Sequence, residues 1–62
     1  DSAMIYYQKA ITANPKNANA YFQKGIALKN ADKIQDAIES FRIARTLGSD
    51  DAAEKLRQMN EN

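Results

Sequence analysis

Residues 18–51 read ANAYFQKGIALKNADKIQDAIESFRIARTLGSDD, and the apolar spacing inside this stretch decides the fold. Tyr21, Gly25 and Leu28 recur on one side of a helix, and Ile34, Ala37, Ile38, Phe41, Ala44 and Leu47 form the cleanest stripe in the chain. Intervals of three and four residues place side chains on a single helical face. Two amphipathic helices are therefore expected, one over about 18–30 and one running to Leu47, interrupted at Asn30-Ala31-Asp32. Asn17 is a suitable N-cap for the first. Asp32 followed by Gln35 has capping-box spacing for the second, and Gly48 suits a left-handed C-cap.

Upstream, Ala3, Met4, Tyr7, Ala10 and Ile11 give a helix over about 2–14, stopped by Asn14-Pro15. Downstream, Asp51 and Glu54 repeat the capping-box spacing, and Ala52, Leu56 and Met59 give a last helix a thin apolar edge. The fold class is all-α, with about four helices. Composition agrees: 11 Ala and no Val favour closely packed helices over a sheet. Tyr21, Leu28, Ile34, Ile38, Phe41 and Leu47 are the expected core.

The balance of 9 Lys+Arg against 8 Asp+Glu leaves a formal charge of +1, with no His and no Cys. Disulfides and thiolate metal sites are excluded, and the usual general base and imidazole ligand are missing. The acidic clusters, Asp32 with Asp36 and Asp50 with Asp51 and Glu54, fall at expected helix starts, where carboxylates cap orphan N–H groups. No catalytic, metal or cofactor site is expected. Basic residues are dispersed and offset by acids, which argues against nucleic acid. No apolar stretch approaches the roughly 18 residues of a membrane span. The opening Asp1-Ser2-Ala3 has no initiator Met, so a longer parent protein is expected.

Shifting the chain by 34 residues superimposes Ala3 on Ala37, Ala10 on Ala44, Thr12 on Thr46 and Ala18 on Ala52, while Met4 meets Ile38 and Tyr7 meets Phe41. A 34-residue period built from two helices is the signature of tetratricopeptide units. The chain resembles that family over essentially its whole length: Tyr21, Gly25 and Leu28, then Ala37, Phe41 and Ala44, stand at its marked positions, and Pro15 at the proline closing a unit. The resemblance divides the chain into residues 1–17, the second half of one repeat; 18–51, a complete repeat; and 52–62, a terminal capping helix. It implies that Gly25 and Ala37 lie where two helices approach most closely. Lys24, Asp32 and Ser49 depart from the pattern, as do Lys55 and Met59 in the last helix, where an aromatic and a glycine are usual.

The resemblance also implies a non-catalytic module that binds a protein or peptide on its concave face. Here that face carries Asn19, Phe22, Gln23, Ile26, Lys29 and Asn30, against the plainer reading of an ordinary solvated surface. Amides suit a peptide backbone, Phe22 and Ile26 a side chain, and Lys29 a carboxylate. The lysine and asparagine clamp by which some family members hold a C-terminal carboxylate is not matched, because Phe22 and Ile26 occupy its positions and only Gln23 or Arg57 could substitute. The alternatives are a structural cap or oligomerisation segment without a ligand and, third, an RNA-binding helical repeat. A chain of 1.8 units falls below the roughly three that such arrays need, so Ile5, Tyr6 and Tyr7 are expected to be partly uncovered and residues 1–14 to favour a homo-oligomer.

Overall fold

The computed structural model describes residues 2–60, with side chains for 4–59. Four helices follow one another: α1 (Ser2–Ala13), α2 (Ala18–Asn30), α3 (Ile34–Thr46) and α4 (Asp50–Asn60). Each packs against the next in sequence, and the α2–α3 contact is the most extensive. The side chain of the expected stripe residue Ala3 and residues 61–62 lie outside what is described.

The core shows how alanine-rich helices close on each other. Phe41, Ala37, Ala44 and Ala52 have no exposed surface, and Leu56 and Leu28 complete the buried cluster. Small residues on α3 let its backbone approach both neighbours, and one large ring fills the centre. That ring sits over Gly25. A Cβ built at Gly25 would fall 2.6 Å from Cε1 and 2.7 Å from Cδ1 of Phe41, a distance that real Cβ contacts essentially never show. The glycine thus makes room for Phe41 itself, where the resemblance paired it with Ala37. Phe22 tilts against the same ring, with centroids 5.7 Å apart.

Of the expected core, Leu28 and Phe41 are buried and Tyr21, Ile38 and Leu47 are half-buried. Ile34 is instead exposed. It is the first residue of α3, level with the turn and not with the buried stretch of α2, which ends at Leu28.

Both capping boxes give way to other caps. Asp32 adopts a left-handed conformation, φ 69°, and becomes the pivot of the α2–α3 turn: its N–H donates to the Lys29 carbonyl at 3.0 Å and that of Lys33 to Leu28 at 2.9 Å. This is the hydrogen-bond pair of a Schellman motif. Asp32 is spent ending α2, so the N-cap position of α3 falls to Lys33, which makes no side-chain cap bond. Gly48 repeats the motif with φ 108°, and the Gly48 and Ser49 N–H groups donate to Arg45 and Ala44, each at 2.9 Å. Ser49 then caps α4, its Oγ accepting from the Ala52 N–H at 3.1 Å, and displaces the expected Asp51 cap. Asp50 and Asp51 occupy the first turn of α4, at the positive end of the dipole. Asn17 caps α2 as expected, accepting from the Ala20 N–H at 3.2 Å.

Adding a methyl at Gly25 gains about 1 kcal/mol of helix propensity but overpacks a ring with no free volume, which costs about 1–3 kcal/mol. Gly25→Ala is therefore expected to lower the thermal midpoint, and Gly25→Ala combined with Phe41→Leu to lose less than the two single losses added, as a double-mutant melting cycle reads directly. At the turn, Asp32→Gly relieves the left-handed strain and should raise the midpoint, whereas Ser49→Ala removes about 1 kcal/mol and should lower it by about 4–8 °C.

Candidate peptide-binding face

At about 100° per residue, α2 divides into two sides. Ala20, Gly25 and Leu28 are buried on one. Asn19, Phe22, Gln23, Ile26, Lys29 and Asn30 form a stripe on the other, and the helix brings all six together along its length. Asn19, Lys29 and Asn30 are exposed and Gln23 is half-buried. Phe22 and Ile26 are also half-buried, because both lean against the central cluster, which Met59 of α4 joins from its own helix. Two of the six positions are therefore partly structural, and the polar four are the ones free to meet a ligand. Arg57, considered as a clamp substitute, is exposed on α4.

The start of α2 sets the stripe's orientation. Pro15 and Asn17 end one helix and cap the next, and the Lys24 ammonium, half-way along α2, donates to Gln8 Oε1 of α1 at 3.0 Å. This is the one hydrogen bond between side chains among the described residues. Met4 packs toward the same cluster from α1, while Ile11 is buried.

No group of three carboxylates comes together to hold a metal among the described residues. The acidic residues stand apart, Asp32 in its turn, Asp36 in the first turn of α3, and Asp50 and Asp51 in that of α4. No helix among the described residues is long and apolar enough to cross a membrane.

A family profile described as tetratricopeptide repeat matches residues 6–39, more than half of the chain. The chain belongs to the tetratricopeptide repeat family. The match runs from Tyr6 in α1, through all of α2, to Glu39 in α3, and so spans the Pro15 turn and the Gly25 notch that the resemblance marks. No curated protein and no solved structure matches the chain significantly. Tetratricopeptide repeats are in general non-catalytic modules of protein–protein interaction.

Two features escaped sequence reading. Ser40 is buried, 5% exposed, at the interval from Ala37 and Ala44 that marks a core position; its polarity hid it. Ser49, which stands 34 residues after Pro15 and departs from the family pattern there, is the second: a serine before two acidic residues and an apolar edge is also a helix-start signal.

Proposed function

We propose that the chain is a peptide-binding tetratricopeptide module whose concave face is the α2 stripe, with Asn19, Gln23 and Asn30 bonding an extended backbone, Lys29 meeting a carboxylate, and Phe22 and Ile26 forming the apolar floor. The observation that carries this reading is the stripe itself: four polar side chains reach solvent along two apolar residues that the core already holds in place. A pre-positioned apolar floor loses little entropy when covered, and amides are adaptable backbone partners. The unit boundaries 1–17, 18–51 and 52–62 belong to the same reading.

Selection of displayed peptides on the chain, followed by affinity measurement, tests the proposal. Gln23→Ala with Lys29→Ala should weaken the selected peptides about five- to tenfold while leaving the helical circular dichroism unchanged. Phe22 is unsuitable for this test because it packs on Phe41. Equal affinity in the double variant would remove α2 from the binding site.

A second reading, self-association through α1, is favoured by Ile5 and Tyr6, which are 58% and 69% exposed. Tyr6 stacks edge-on with Tyr7 at 5.9 Å, and Ile5 lines an open groove of about 390 Å³ with Gln8, Lys9, Thr12 and Ala13. Exposed apolar surface of this kind is a contact site. Sedimentation velocity at rising concentration should show a dimer that Ile5→Ser with Tyr6→Ser abolishes; a monomer at every concentration refutes self-association.

A further inference from the structure

The opposite side of α2 forms, with α3, a second groove of about 200 Å³. Tyr21, Leu28 and Ile43 give it apolar surface, and Asp36 and Glu39, both exposed, stand on its α3 side. Neither carboxylate is ion-paired among the described residues. Ser40 lines the same groove and is 5% exposed, yet its hydroxyl makes no hydrogen bond among the described residues. Thr12 and Thr46 show what a helical hydroxyl ordinarily does, bonding back to the Gln8 and Arg42 carbonyls at 2.9 and 3.0 Å. No sealed side-chain polar atom goes unpaired among the described residues, so the Ser40 oxygen keeps its access through the groove.

The ligating chemistry is that of acceptors: two carboxylates and a hydroxyl above an apolar strip. The lining also carries one cation, Lys24, whose ammonium donates to Gln8 Oε1 on α1 and keeps its charge, so against Asp36 and Glu39 the lining is left with a formal charge of −1. An arginine side chain is complementary on each count. Its guanidinium presents five donors in a planar fork to carboxylates, its methylene stem covers apolar surface, and its plane stacks on a phenol ring. The groove is smaller than the roughly 300–1,000 Å³ of small-molecule sites and matches a single side chain.

We propose that the α2–α3 groove, formed by Asp36, Glu39, Ser40, Tyr21, Leu28 and Ile43, docks an arginine side chain from a basic segment of a partner protein. This surface lies on the far side of α2 from the peptide stripe and does not depend on it.

The test is a titration of the isotope-labelled chain, at a temperature where it is fully helical, with a blocked tripeptide carrying a central arginine and with its lysine and citrulline counterparts. Saturable amide shifts are expected at Tyr21, Ser40 and Ile43, with arginine ahead of lysine and citrulline inert. Glu39→Gln should weaken binding about fivefold, and Asp36→Asn with Glu39→Gln by tenfold or more. Gln23→Ala with Lys29→Ala should leave binding unchanged, which separates this site from the concave face. Glu39→Gln stands away from the first turn of α3, so its result holds even if Asp36→Asn loosens that end. Shifts spread equally over Asp50, Asp51 and Glu54, equal binding of citrulline, or an unaltered double carboxylate variant would each overturn the proposal.

Discussion

The ring of Phe41 resting on the bare backbone of Gly25 is the contact on which the rest of the structure depends. It sets the distance between α2 and α3, and the fully buried alanines at 37 and 44 are small because that distance leaves them no more room. Truncating such a ring typically costs about 3–5 kcal/mol, which is of the order of the whole stability of a chain this short. A core with one fully buried large side chain has no redundancy: Ala52 and Leu56 can only dock on a surface that Phe41 has already levelled.

From that hairpin the two faces of α2 follow. Gly25 and Leu28 point α2's buried side at α3, so the polar stripe necessarily faces away, and Phe22 touches the central ring while lying within that stripe. The same hairpin leaves a cleft along its opposite side, where Tyr21 and Leu28 meet Ser40 and Ile43. One helix thus serves as the shared wall of two chemically different surfaces, one rich in amides and the other in anionic acceptors.

The helices and the Gly25 notch were legible in the sequence because they arise from periodicity and from a residue type with one plain steric use. Asn17 and Gly48 were legible for the same reason. The caps of α3 and α4 were not, because capping-box spacing records only which side chains could bond, whereas the three-residue turns determine which backbone conformations remain. Once Asp32 takes positive φ to close α2, its carboxylate is no longer at the N-cap position of α3. Ser49 in place of a proline starts α4 at Asp50, 32 residues after α2 starts at Ala18, so the helical offset is shorter than the 34-residue sequence period. Of the stripe, the exposure of Asn19, Lys29 and Asn30 follows from the helical wheel alone. The half-burial of Phe22 and Ile26 does not, since it depends on where the central cluster, built mostly from α3 and α4, comes to lie.

Contacts that run mainly from each helix to the next have a consequence for motion. The α1–α2 contact is the least extensive of the three, so α1 can detach while the Phe41 hairpin stays intact, and opening proceeds inward from an end instead of all at once. Amide exchange in such a molecule forms a gradient along the chain, slowest in α2 and α3. The surfaces on α2 therefore sit on the last part of the protein to open, and a partner that grips them meets a pre-formed wall even when the outer helices are breathing.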